Sequence, residues 1–209
     1  MKLEKTLMPQ SVFGLITLLA ALLLAGCQSS QESSGSKAAT GPAPSAPAAV
    51  AAAAAVPMPA LPVHIKAGPG DSFKDAQGNV WISEQGFEGG DTTERPDLQI
   101  TNTTTPVIYL SERYNMASFS CPLPNGKYLV KLHFCETYEG ITGPGQRVFT
   151  FNVQGQEFKD FDIWVKAGGF LRALIVPVNV DITNGRLDVT FTPQVEYPQI
   201  NGIEIYPAT

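Results

Sequence analysis

Residues 107–153, VIYLSERYNMASFSCPLPNGKYLVKLHFCETYEGITGPGQRVFTFNV, decide how the rest of the chain is read. Two runs inside this stretch, 128–135 and 147–153, alternate in period two, the pattern of a half-buried strand. Tyr128, Val130, Leu132 and Phe134 fall on one face and Lys131 and His133 on the other; Phe149, Phe151 and Val153 repeat the pattern. Beside these runs, two short segments set a tyrosine among charges: Glu112-Arg113-Tyr114-Asn115 and Glu136-Thr137-Tyr138-Glu139. The second turns on through Gly143-Pro144-Gly145. Phenol rings on loops held by a rigid sheet can cover the apolar face of a pyranose, and neighbouring carboxylates and amides take its hydroxyls.

Outward from this stretch, short alternating runs recur between turn residues, and helical signals are nearly absent. Val80-Trp81-Ile82 follows a turn at Asp75-Ala76-Gln77-Gly78-Asn79, and Gly89-Gly90 punctuates again. Strands are expected at 106–110 and 117–121, the latter closed by the Asn125-Gly126 turn. Phe158, Phe161, Ile163 and Val165 alternate less cleanly. Residues 170–180 form a long apolar run whose Pro177 marks an edge or a bulge. Asn184-Gly185 turns into Leu187, Val189 and Phe191, and the last strand points Ile203 and Ile205 inward and Glu204 outward. About ten such strands specify an all-β, two-sheet jelly-roll sandwich over residues 63–209, one domain.

The first 26 residues read as a secretory leader: Lys2 and Lys5, an apolar run over 12–25, then Leu24-Ala25-Gly26-Cys27. That ending resembles a bacterial lipobox, in which Cys27 becomes the acylated mature N-terminus, and Gln28 at the next position favours the outer membrane. Residues 27–62 are rich in Ala, Pro and Ser and read as a tether that lifts the domain off a membrane. Without Lys2, Lys5 and Glu4 the formal charge goes from −5 to −6, and no basic patch invites nucleic acid. Cys121 and Cys135 either pair in an oxidising envelope or serve as small hydrophobes. Neither a Cys/His cluster nor a cofactor motif is present, so no metal or cofactor is expected. His64 and His133 show no ligand or base pattern.

Four motifs in order resemble the malectin family of carbohydrate-binding jelly rolls, over about residues 65–206. They are Lys66-Ala67-Gly68 with Asp75, Gly78 and Trp81; Tyr109-Leu110-Ser111-Glu112-Arg113-Tyr114; Leu132-His133-Phe134 with Glu136, Tyr138 and Gly145-Gln146-Arg147-Val148-Phe149; and Val195-Glu196-Tyr197-Pro198-Gln199-Ile200. The resemblance implies a sugar site at Tyr114, Tyr138 and Glu196. Glu139 stands where the family has a second ring, which removes a stacking surface, and takes its place among the candidate sugar contacts. The family's early tyrosine has no match at 88–93, where Phe87 and Trp81 are the nearest rings. Tyr114 and Tyr138 otherwise read as strand-end packing, and Glu139 and Glu196 as solvated acids. Glu136 is read as the structural partner of Arg113 or Arg147.

These readings point to a noncatalytic, lipid-anchored, glycan-binding protein of the bacterial envelope, taking glucose-type or other oligosaccharides. Two alternatives stand beside it. One is an envelope scaffold that binds protein. The other is a glycosidase using Glu136 or Glu139 with Glu196, or Asp91, which would need two carboxyls at a set separation.

Overall fold

The computed structural model describes residues 60–208; the leader, Cys27 and most of the tether lie outside the described residues. In chain order the strands are β1 Val63–Lys66, β2 Phe73–Lys74, β3 Val80–Trp81, β4 Phe87–Glu88 and β5 Asp91–Glu94. After a 3-10 helix at Pro106–Leu110 come β6 Ser111–Tyr114, β7 Ser118–Pro122, β8 Gly126–Phe134, β9 Val148–Val153 and β10 Gln156–Phe161. A one-turn helix, α1 Ile163–Ala167, leads to β11 Leu174–Ile182, β12 Arg186–Val195, β13 Gln199–Ile200 and β14 Gly202–Pro207.

Two sheets carry the fold, one ordered β1-β14-β8-β11 and the other β10-β9-β12-β7-β4. Their alternating apolar faces meet in one core, where Val130, Leu132, Phe134, Ile203 and Ile205 of the first sheet pack with Phe149, Phe151, Leu187 and Val189 of the second. Phe161 seals it, with its ring centroid 5.0 Å from those of both Phe134 and Phe151. The all-β sandwich read from the alternation is therefore the observed architecture. Pro177 sits on β11, an edge strand, where its missing N–H breaks no ladder.

The two Asn-Gly turns are not hairpins. Each carries the chain from one sheet to the other, Asn125-Gly126 from β7 to β8 and Asn184-Gly185 from β11 to β12. They dock on each other: Gly185 N donates to Asn125 Oδ1, and Leu123 N to Gly185 O, both at 2.9 Å. Strands β8 and β12 start there, so the loops that follow them lie at the opposite end of the sandwich.

Three expectations are corrected. Residues 106–110 form the 3-10 helix, because Pro106 supplies a turn-compatible φ and lacks only an N–H that would be unpaired there anyway. Ile163 and Val165 belong to α1; Asp162 caps it by accepting from Val165 N at 3.1 Å, and left-handed Gly168 ends it. The apolar run at 170–180 becomes strand only at Leu174, after Leu171 takes φ +56°. Cys121 and Cys135 are both free and buried, in separate apolar clusters. Burial pushes their thiols up to about 11 and about 12, so both act as small hydrophobes.

The face of the first sheet turned away from the core is covered too. Trp81, Ile108, Tyr109, Cys135 and Ala173 form a second cluster there. Glu204 points off the core as expected but is buried, and both histidines meet it: His133 Nε2 at 2.6 Å and His64 Nε2 at 3.6 Å. His133 Nδ1 lies 2.8 Å from the Tyr109 hydroxyl, and Tyr206 donates to Glu204. Burial works to raise the Glu204 carboxyl. Hydrogen bonds from His133 and Tyr206, with the charge on His133 and Lys131, overrule it and hold the group down at about 2.

A carboxyl held below its unfolded value of 4.5 contributes stability that is complete above that pH and is lost as pH falls through about 2. At ~1.4 kcal/mol per unit this is worth up to roughly 3 kcal/mol. Glu204→Gln is expected to lower the urea unfolding free energy by about that amount at pH 7, with the gap to the parent closing below pH 3.

Candidate functional site

Strands β13, β6 and β5 form a small third sheet at the end of the sandwich opposite the Asn-Gly turns. Tyr114 closes β6, with Gln199 on one side and Asp91 on the other. Period two sends Glu112 and Tyr114 to one face and Arg113 to the other. The loop after β8 brings Tyr138, and the loop between β12 and β13 brings Glu196 and Tyr197. Together with Thr93, Arg95 and Arg147 these side chains line an open cleft of about 270 Å³.

Two ion pairs floor the cleft. Glu112 is buried, with Arg95 Nη1 at 3.0 Å from Oε1 and the Thr137 hydroxyl donating to Oε2 at 2.6 Å. Glu136 and Arg147 are also buried, with Nε donating to Oε2 at 2.7 Å. Burial raises the Glu136 carboxyl, against the pull of the Arg147 charge and of hydrogen bonds from Arg147 and the Tyr138 N–H. Each member of this pair also holds a loop. Glu136 Oε1 accepts from Tyr138 N at 3.1 Å, and Arg147 Nη1 donates to the Tyr197 carbonyl.

The walls are rings. Tyr138 is 46% exposed and Tyr197 47%, so each has a free surface, and Tyr114 is partly covered. Arg95 approaches the Tyr138 ring, its Cζ 6.0 Å from the centroid. Gly140 lies under the same ring: a β-carbon there would sit 2.5 Å from Tyr138 Cε1. Three phenols around a floor of carboxylates and guanidiniums can stack on the C–H face of a sugar and hydrogen-bond its hydroxyls.

The structure thus brings Tyr114, Tyr138 and Glu196 to one cleft. Glu139 is exposed and does not line it. Of the two arginines read as partners of Glu136, Arg147 makes the pair. Arg113 faces the other way, pairs with Glu84 and donates to Gly89 O at 2.7 Å. Phe87 and Trp81 stay out of the cleft; the former packs on Phe119 at 4.9 Å and the latter is buried in the second cluster. Tyr197, Arg95 and Thr93 were missed in the sequence. Tyr197 stands directly after Glu196 and supplies a ring where Glu139 had removed one. Arg95 follows the short polar strand β5 and carries no local signal. Among the described residues no group of three or more His, Cys, Asp or Glu side chains could hold a metal ion.

A model of the malectin domain matches residues 62–203. Malectin-B of Xenopus laevis is 32% identical over 112 residues, 49% of this chain and 39% of that protein. Receptor-like protein 4 of Arabidopsis thaliana is 36% identical over 85 residues, 40% of this chain and 14% of that protein. The chain thus spans well under half of the curated relatives it matches. Among solved structures, a β-glucuronidase 2 of Bacteroides uniformis superposes with a TM-score of 0.64 at 18% identity, covering 72% of this chain and 18% of that one. The plant complex of peptide RALF23 with FER and LLG2 gives a TM-score of 0.59 at 21% identity, covering 69% and 48%. Both likenesses concern the fold alone.

Gly140→Ala is expected to cost roughly 1–3 kcal/mol in urea unfolding, because the new methyl overlaps the Tyr138 ring. In a Tyr138→Ala background the same change should be neutral or slightly stabilising, since its obstacle is gone and alanine restricts the unfolded chain.

Proposed function

The chain belongs to the malectin family, and from that premise we propose that its domain is a noncatalytic glycan-binding module whose ligand lies in the tyrosine cleft. The observation that carries this reading is the convergence of Tyr114, Tyr138 and Tyr197 on one polar floor, from β6 and two separate loops. Tyr138 and Tyr197 each leave nearly half of their surface open for a ligand to stack on. A saccharide suits them, since its C–H faces match the phenols and its hydroxyls match the floor. Gluco-oligosaccharides are the ligands proposed first.

The noncatalytic part rests on how the carboxylates are used. Glu136 accepts from Arg147 and from Tyr138 N, and Glu112 from Thr137 beside Arg95, so both serve the frame of the cleft. Among the described residues Glu196 is left as a single unpaired carboxylate on its lining, where hydrolysis needs two. Glu139 stands outside the cleft lining and Asp91 is exposed on β5. This supports a binder over a glycosidase. The location is part of the same proposal: Leu24-Ala25-Gly26-Cys27 supports a lipid anchor at the bacterial envelope, with Gln28 favouring the outer membrane. Tethering of this kind offsets the modest affinity of an open cleft by raising the effective concentration.

Glycan-array and titration experiments on the protein, with a reporter-sugar hydrolysis assay alongside, separate the readings. Saccharide binding without turnover is expected. Tyr114→Ala, Tyr138→Ala and Tyr197→Ala should each weaken it about 3- to 10-fold with an unchanged circular dichroism spectrum. Turnover would make the protein a glycosidase. No glycan bound, but a captured envelope protein, would make it the scaffold. Radiolabelled palmitate should enter the parent protein and not a Cys27→Ala variant.

A further inference from the structure

The saccharide reading above leaves the charge of the ligand open, and the cleft speaks to it. Five charged side chains line or floor the cleft. Four of them cancel in pairs, Arg95 with Glu112 at 3.0 Å and Arg147 with Glu136 at 2.7 Å. The fifth, Glu196, is exposed at the rim and forms neither a salt bridge nor a side-chain hydrogen bond among the described residues. The local field a ligand meets is therefore that of one unneutralised carboxylate.

The backbone at this residue adds a second observation. Glu196 has φ +59°, in the left-handed region. A β-carbon makes that region costly, and glycine or asparagine enters it more readily. The conformation is imposed by the two residues that follow: Arg147 holds the carbonyl of Tyr197, and Asn115 N donates to Pro198 O at 2.9 Å. A glutamate that makes no contact of its own gains nothing for the fold by sitting there. It does put a carboxylate at the mouth of the cleft beside Tyr197.

We infer that Glu196 is a charge filter, and that the cleft takes uncharged or amino-bearing sugars and turns away sugars that carry a carboxylate. A uronate bound between the tyrosines would bring a second negative charge close to Glu196, and among the described residues each cation lining the cleft is already paired with a carboxylate. Arg147 is buried against Glu136 at 2.7 Å, and Arg95, a quarter of whose side chain is exposed, already faces Glu112 at 3.0 Å. A neutral hydroxyl loses nothing, because the Glu196 carboxylate accepts its hydrogen bond. An ammonium in the same place gains.

The test uses three gluco-disaccharides that differ only in the terminal unit, which is glucose, glucosamine or glucuronate, titrated calorimetrically into the protein. The glucuronate form is expected to bind roughly tenfold more weakly than the glucose form, with glucosamine equal or tighter, and the spread should shrink in 0.5 M salt. Glu196→Gln should weaken the glucose form a few-fold and close the gap between the three. Glu196→Gly should also close it while raising the melting temperature by about 2–4 °C, as the strained position is relieved. A glucuronate form that binds as well as the glucose form, or a spread that Glu196→Gln leaves intact, overturns the inference and leaves the glycan reading standing. Binding of none of the three, together with a blank glycan array, overturns both.

Discussion

The buried pair of Glu136 and Arg147 is the interaction on which the candidate site depends. Each ion would be costly to bury alone, and a buried pair is weak evidence of stability, since apolar residues of the same size often serve as well. Its significance here is geometric. Glu136 lies two residues before Tyr138 and accepts that residue's N–H; Arg147 lies at the start of β9 and reaches across to the Tyr197 carbonyl. One carboxylate–guanidinium contact of 2.7 Å thus fixes two loops that are about sixty residues apart in the chain. Two of the three cleft rings take their positions from it.

The third ring is fixed by the frame behind. The segment at 109–114 is joined to the segment at 133–138 at two points, although their strands lie in different sheets. The Tyr109 hydroxyl lies 2.8 Å from His133, and Thr137 donates to Glu112 at 2.6 Å. Tyr114 then follows at the end of β6, with β13 on one side and β5 on the other. The sandwich core gives these segments something rigid to stand on. None of its residues lines the cleft: they are large, apolar and interdigitated, while those of the cleft are polar or partly exposed.

Much of the fold could be read from period two. β8, β9 and β12 alternate cleanly because each buries one face in the main core, and that pattern survives in the sequence. What could not be read was local and short. The 3-10 helix at Pro106–Leu110 and the single turn of α1 are too brief for a 3.6-residue period, and the cap at Asp162 looks like any aspartate between strands. The buried face around His133 and Glu204 was hidden as well, because covering segments far apart in sequence make an outward position an inner one. In the site, alternation on β6 already separates Arg113 from Glu112 and Tyr114, so the partner of Glu136 was decidable in principle. The family resemblance drew attention to positions where rings were missing. Tyr197, one residue beyond the matched acid, restores a ring by a different route, and Arg95 enters only through the folding of β5 against β6.

The most direct measurement replaces the pair rather than breaking it. A Glu136→Leu, Arg147→Met double variant keeps the volume and removes both charges, so its urea unfolding free energy should stay within about 1 kcal/mol of the parent. If the pair exists to hold Tyr138 and Tyr197 in place, glycan affinity should nevertheless fall by about 30-fold or more, the loss of two stacking walls together. A stable double variant that still binds glycan like the parent would contradict the account.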